Sequence, residues 1–358
     1  MAGSARVRCT WRPTSAPSRS AAASTSRRLS GGCGSAGGSR REAVSRADAA
    51  ARGQRIRLGA SDRNQVIVGK GCGGMSSLYC FPDDGLPVQI SFSGGRTSGY
   101  MLRRLMDANP DFHDRARVVF ANTGREMPET LDFVAEVDRR WGVGIVWVEW
   151  RDGEHGHRFE VVGRQGASEN GEPFEALICK KRYLPNRRVR FCTSELKVRT
   201  ARDYLRSIGW EHWTAAIGIR ADEPHRIENK PDLKERWKRW LPLAEAGITK
   251  RDVIAFWKAQ PFDLRLQNVK GKTPYGNCDG CFLKSEAFLA RLSVEHPERH
   301  AWWERMEEVA AGMTSGSGAT FSKRHLRREL REAMERQGEF LLTAEGALCQ
   351  ADDGECME

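Results

Sequence analysis

A chain of 358 residues, 39% hydrophobic and 29% charged, is long enough to bury a large core and to hold two domains. Its formal net charge is +11, but residues 1–74 carry 14 Lys plus Arg against 3 Asp plus Glu, and the remainder carries 44 of each sign. The body of the protein is therefore neutral, and its overall basicity is no argument for a nucleic-acid partner. No apolar run approaches the ~20 residues that a membrane span needs, so a soluble, cytoplasmic protein is expected.

Residues 1–74 are rich in Ser, Ala, Gly and Arg and poor in acids and aromatics. Such a segment cannot bury enough apolar surface to fold alone. It is expected to be a disordered basic leader, from a start assigned too early with Met75 as the true first residue, or else an organelle transit peptide. The first strand is expected over 87–92. It runs into Ser93-Gly94-Gly95 and then a helical pattern over about 97–109, with Ser98 in its first turn. Strand, glycine turn and helix N-terminus together make an anion cradle, because the backbone can approach closely and its N–H groups point at the ligand. The Walker pattern Gly-x4-Gly-Lys-Ser/Thr and the dinucleotide pattern Gly-x-Gly-x-x-Gly are both absent.

A second strand over 117–121 ends in the polar turn Asn122-Thr123-Gly124-Arg125-Glu126, followed by an amphipathic helix over 127–141. Strands over 143–149 and 214–219 and a helix over 195–207 continue the alternation, and the last strand closes on Gly218-Ile219-Arg220-Ala221-Asp222. Alternation of this kind predicts an α/β fold, a Rossmann-like, doubly wound, mostly parallel sheet. Its ligand belongs beyond the strand C-termini, where Ser93–Gly95, Asn122–Gly124 and Gly218–Arg220 converge. Thr249 caps a further helix over 249–257, and residues 284–340 read as charged accessory helices broken at Gly312–Gly318, with Trp302 and Trp303 packing them. His155 and His157 read as loop histidines.

At Ser93-Gly94-Gly95, Asn122-Thr123-Gly124 with Pro128-Glu129-Thr130, Arg190–Lys197 and Gly218-Ile219-Arg220, the chain resembles the phosphoadenosine phosphosulfate (PAPS) reductase family. That family lies within the adenine nucleotide alpha-hydrolase-like superfamily of PP-loop, N-type ATP pyrophosphatases. The resemblance covers about residues 86–290, taken as the nucleotide-binding domain, with 291–358 as an accessory helical region and tail. It implies nucleotide contacts from Ser93, Gly94, Gly95, Arg96, Ser98, Asn122, Thr123, Gly124, Glu126, Gly218, Arg220 and Asp222. The family loop reads Ser-Gly-Gly-Lys-Asp-Ser, and here Arg96 and Thr97 replace the Lys and Asp. Arginine keeps the charge and adds a two-donor fork, so Arg96 is expected to grip phosphate or sulfate. Lys197 matches a slot of the family pattern, and Arg96 and Lys197 are taken as catalytic. The family's catalytic cysteine lies in a C-terminal Glu-Cys-Gly-Leu-His. This chain ends Gly354-Glu355-Cys356-Met357-Glu358, which makes Cys356 a weak nucleophile candidate.

Cys278-Asp279-Gly280-Cys281 is a C-x-x-C, and Cys179 and Cys192 lie upstream in basic sequence that lowers thiol pKa values. Four such thiolates suit a 4Fe–4S cluster or a tetrahedral zinc; a redox pair or buried structural cysteines are the other readings. Cluster-bearing sulfonucleotide reductases use a Cys-Cys pair where this chain has only Cys192, so the resemblance makes Cys179 the replacement ligand beside Cys192, Cys278 and Cys281. Residues 180–199 hold eight basic side chains against Glu195, a stretch suited to a solvated loop, a second phosphate or a nucleic-acid backbone.

Three functions are open at this level. The first is sulfonucleotide reduction, with PAPS or adenylyl sulfate as substrate and a thioredoxin-like reductant. The second is ATP pyrophosphatase chemistry with Mg²⁺, adenylylating a tRNA or DNA acceptor for transfer from a sulfur carrier. The third is a non-catalytic nucleotide sensor or nucleic-acid-binding module.

Overall fold

The computed structural model describes residues 78–153, 158–228, 235–269 and 272–337. The leader, His155, His157 and Cys356 lie outside the described residues. The first elements are β1 (Val88–Ser91), α1 (Arg96–Ala108), α2 (Phe112–Arg115), β2 (Ala116–Asn122), α3 (Pro128–Trp141) and β3 (Val146–Trp150). Next come β4 (Phe159–Val162), α4 (Glu172–Lys181), a π-helical turn over Cys192–Arg199, α5 (Thr200–Ser207), β5 (Trp213–Ala216) and α6 (Pro224–Ile227). The remainder is β6 (Trp237–Trp240), α7 (Pro242–Glu245), α8 (Lys250–Lys258), α9 (Glu286–Glu295), α10 (Pro297–Ala311) and α11 (Arg327–Gln337).

The strands form one sheet in the order β4-β3-β2-β1-β5-β6. Every pairing is parallel except β3 with β4. The chain moves outward from β1 through β2 and β3 and then returns to pair β5 on the other side of β1, so the switch point lies between β1 and β5. All four residues of β1 are buried, as a central parallel strand requires. Along β2 the side chains alternate: Val118 and Phe120 join the larger core, while Val119 and Ala121 pack with Ala201, Tyr204 and Leu205 of α5 on the opposite face.

The expected strands and helices form within a few residues of their predicted bounds. β4 and β6 go beyond the predicted set: both are short edge strands, and Trp-Lys-Arg-Trp in β6 carries the charge that hides an edge strand from a hydrophobic pattern. Thr249 and Asp252 make a full capping box at the start of α8. Trp302, Trp303, Met306 and Val309 of α10 belong to the same hydrophobic cluster as Val88 and Ile90, so the helices beyond residue 290 extend the core of the sheet domain. No helix among the described residues is long and apolar enough to cross a membrane.

Candidate functional site

The turn after β1 is held by its own hydroxyls. Ser98 Oγ accepts from the Ser93 N–H at 3.2 Å, lies 3.0 Å from Ser93 Oγ and donates to the Gly95 carbonyl at 3.0 Å. Gly94 takes φ +76°, a region an L side chain occupies only with strain. No side chain caps α1, and its first turn holds no acid. Its N–H groups and dipole therefore offer a site for negative charge.

Arg96 does not serve that site. Its Nε and Nη2 grip both oxygens of Asp263 at 2.8 and 2.9 Å, Nη2 also donates to the Leu264 carbonyl, and Nη1 donates to Thr273 Oγ1 at 3.2 Å. The fork expected to hold an anion instead clamps Asp263, Leu264 and Thr273 to the start of α1, which corrects the sequence expectation: a guanidinium in a two-point grip on a carboxylate has its donors directed at that carboxylate. The Trp257 indole of α8 fixes the same residue by donating to the Arg96 carbonyl at 2.6 Å. A cavity of about 500 Å³ lies beside this clamp, lined by Arg96, Glu136, Arg140 and Pro261–Leu266.

The cation at the strand ends is Arg220, 3% exposed, in the turn after β5. Its Nη1 donates to Thr97 Oγ1 at 3.0 Å, its Nε donates to Asp222 at 2.8 Å, and its own N–H donates to Glu223. Thr97, which replaces the family Asp, thus ties the β5 turn to the first turn of α1. Asp222 also accepts from the Lys250 N–H at the start of α8.

The β2 turn is equally determined. Asn122 donates from Nδ2 to Glu149 at 2.6 Å and to the Ser168 carbonyl at 2.8 Å, and accepts from the Gly124 N–H. Thr123 donates its hydroxyl to Glu126 at 2.8 Å, and its N–H does the same at 2.9 Å. Glu129 Oε2 and Thr130 Oγ1, at the start of α3, are buried without a hydrogen-bond partner.

Cys278 closes this side. Its backbone bridges to Glu126, and its Sγ lies 3.3 Å from Thr123 Oγ1. Burial, with Glu126 next, pushes its thiol from an ordinary 9.0 up to about 12, against the opposing pull of nearby Lys197. Lys197 is buried on the π-helical turn that also starts at Cys192, whose thiol is within electrostatic reach of Cys278. π-turns recur at functional sites, and this one carries Lys197 within electrostatic reach of Cys278. Since only thiolates are alkylated readily, Cys278 in the native protein at pH 8 is expected to react with iodoacetamide roughly a thousandfold more slowly than an exposed thiol. Mass spectrometry of the labelled peptide checks this, and labelling at the exposed rate would contradict the burial.

The four cysteines do not assemble as expected. Cys179, on α4, is disulfide-bonded in this structure and offers no thiolate here. Cys281 lies one turn beyond Cys278, beside the buried Arg327. Among the described residues no three metal-ligating side chains gather around one point. The residues as they stand do not fit a four-thiolate cluster or zinc, and no chemical step is drawn through one.

What the C-x-x-C turn does hold is Asp279. It is fully buried and accepts from Arg125 at 2.7 Å, from Arg299, from the Trp303 indole at 2.8 Å and from the Gly280 N–H at 2.6 Å. Burial pulls its pKa up, but Arg125 and Arg299 outweigh it and hold the carboxyl below its ordinary range. Arg125 also stacks on the Trp302 ring at 4.8 Å. Sequence reading missed Arg125, Asp279 and Arg299. An acid between two cysteines and a basic residue beside the β2 turn were the available signals, but neither names its partner. In the basic run, Glu195 neutralises Lys181 at 2.8 Å and Arg199 at 3.0 Å, whereas Arg187 and Arg188 are exposed.

Residues 87–263 match the phosphoadenosine phosphosulfate reductase domain. The matched segment is a phosphoadenosine phosphosulfate reductase-like domain. It spans the whole sheet and the turns after β1, β2 and β5, while the Cys278–Cys281 turn lies beyond it. An uncharacterized nin region protein of Escherichia phage lambda is 33% identical over 213 residues, 55% of this chain and 66% of that protein. The match therefore falls just short of two thirds of that relative's length. An uncharacterized 37.8 kDa protein of Escherichia phage 186 is 25% identical over 70% of this chain and 83% of its own length. Among solved structures, a PAPS reductase from Candida auris in complex with phosphate covers 51% of this chain and 76% of its own, at 15% identity and a TM-score of 0.34.

Proposed function

We propose that this reductase-like domain binds an adenine nucleotide in the crevice between β1 and β5 and acts on the nucleotide's 5′ anionic group in sulfur chemistry. The observation that carries this reading is the Ser93–Gly95 turn, which brings the uncapped start of α1 to the point where Arg220 is fixed through Thr97. Oriented N–H donors and a buried guanidinium stabilise charge that builds on a sulfate or phosphate oxygen during displacement, without reorganising first. Glu126, Thr123 and Lys197 make the polar wall on the β2 side.

With PAPS or adenylyl sulfate, a thiolate forms a bond to the sulfate sulfur as the bond to the nucleotide phosphate oxygen breaks. The nucleotide leaves with that oxygen, and a dithiol reductant of the thioredoxin class then supplies two electrons that release sulfite. In this reading the nucleophile is the tail thiol Cys356, and the raised pKa of the Cys278 thiol weighs against that residue.

Incubation of the full chain, purified without oxygen, with PAPS, adenylyl sulfate or ATP-Mg²⁺, each with thioredoxin, tests the proposal. Sulfite together with adenosine 3′,5′-bisphosphate or AMP is the expected result. AMP and pyrophosphate from ATP alone would replace reduction by adenylylation, and turnover of none of the three would overturn the enzymatic reading.

A further inference from the structure

The basic run that links α4 to the π-helical turn is neutralised at its two ends and left charged in its middle. Lys180 pairs with Asp152, and Lys181 and Arg199 share Glu195. Arg182, Arg187 and Arg188 are exposed and form no ion pair among the described residues. The middle is nonetheless a built turn. Asn186 Oδ1 accepts from the N–H groups of Arg188 at 3.0 Å and Val189 at 3.1 Å, and the Asn186 N–H donates to the Val189 carbonyl at 3.0 Å. Leu184 is fully buried and its N–H donates to the Gly318 carbonyl at 2.7 Å. The Tyr183 and Phe191 rings, one on each side of the turn in sequence, meet edge-on at 5.0 Å. The guanidinium groups are thus presented from an ordered backbone, so engaging them costs mainly side-chain freedom.

Residues 75–358 are neutral overall, so this excess of charge is local and not a share of a general basicity. A guanidinium takes two phosphate oxygens through its fork. A peptide partner draws its affinity from apolar and aromatic anchors, and beside these arginines the large apolar side chain that is exposed is Val189. A phosphodiester backbone needs no such anchor, because each neutralised phosphate releases condensed counterions and charge alone supplies affinity. Its phosphates also repeat along the strand, so neighbouring guanidiniums are met together. We infer that the 182–188 stretch is a docking surface for the sugar–phosphate backbone of a nucleic acid. The stretch runs on into the Cys192–Arg199 turn that carries Lys197. The inference does not depend on which ligand the crevice takes.

Fluorescence anisotropy of a labelled single-stranded DNA, an RNA of the same sequence and the corresponding DNA duplex, each titrated with the full chain over a series of salt concentrations, tests it. Wild type is expected to bind with log K falling linearly in log salt. The variant Arg182→Gln/Arg187→Gln/Arg188→Gln is expected to reduce the magnitude of that slope by about two to three and to weaken binding roughly tenfold or more at low salt. A charge-matched variant, Arg139→Gln/Arg251→Gln/Lys258→Gln, removes exposed charges from α3 and α8 and is expected to bind like wild type. The basic residues of 1–74 are common to all of these proteins, so their contribution cancels in the comparison. Melting curves establish that both variants are folded. A slope that the first variant leaves unchanged overturns the inference, as do equal losses in both variants, which would make net charge the cause. Failure of wild type to bind any of the nucleic acids overturns it too. Tighter binding of polyglutamate than of the oligonucleotides, lost in the first variant, would replace the nucleic acid by an acidic protein partner.

Discussion

Replacing Asp279 by alanine is expected to lower the unfolding free energy by about 3–5 kcal/mol, the loss typical of breaking a buried ion pair from one side. The carboxylate is fully buried, and its partners Arg125 and Arg299 are 3% and 11% exposed, so the variant leaves two guanidinium groups with little water to replace the lost charge. Trp303 Nε1 and the Gly280 N–H lose their acceptor as well. Asp279→Asn keeps the volume and one acceptor but removes the charge, and is expected to fall between wild type and alanine. The pH dependence has a defined sign. The folded-state pKa is lowered, so the contribution is present above the unfolded value and is lost as pH falls through the folded one. Urea denaturation at neutral and acidic pH measures this: the gap between wild type and Asp279→Asn should narrow as pH falls. Because Asp279 also anchors the turn that buries Cys278, iodoacetamide should label Cys278 faster in the alanine variant. A loss below about 1 kcal/mol would mean that the two arginines find other partners.

The contrast between what the sequence reveals and what it hides follows from the range of each interaction. The central strands are apolar runs bounded by glycine turns, and β1, β2, β3 and β5 are separated by helices, so a parallel sheet is readable from local pattern. The edge strands are not: β4 has two exposed central residues, and β6 is half basic. The π-turn at Cys192 is invisible for another reason, since its apolar spacing differs from that of an α-helix by one residue over a short stretch.

At the site, the elements that come from one strand end each were legible, namely Ser93–Gly95, Asn122–Glu126 and Gly218–Arg220. The partnerships between them were not. Arg96 reads as an anion grip as long as Asp263, 167 residues away, is unknown. Cys179 reads as a ligand as long as its disulfide is unknown. Asp279 follows Cys278, and its role depends on Arg125 and Arg299. Charge type is local, but what neutralises a charge is set by tertiary packing.

Gly94→Ala is expected to weaken nucleotide binding on the order of 100-fold, the scale of loss that follows from sub-ångström to ångström misplacement of positioning groups. Two costs act together. At φ +76° an alanine is strained by roughly 1–2 kcal/mol. Its methyl would also lie 2.7 Å from Thr130 Cγ2, 3.0 Å from Val134 Cγ2 and 3.3 Å from Phe120 Cε2. Those three side chains are buried on α3 and β2 and have no free volume behind them, so the turn itself has to move. Movement of the turn breaks the Ser93–Ser98 hydroxyl pair and turns the first N–H groups of α1 away from the crevice. Gly142→Ala separates strain from displacement. Gly142 has φ +63°, but a methyl there meets nothing within 4 Å, so stability should fall by about 1 kcal/mol while nucleotide affinity stays at the wild-type value. Titration of ATP and of adenosine 3′,5′-bisphosphate into the three proteins, with melting curves alongside, decides the matter. If Gly94→Ala binds like Gly142→Ala, the turn after β1 is a structural corner, and the anion site must be sought at Arg220 and the β2 turn instead.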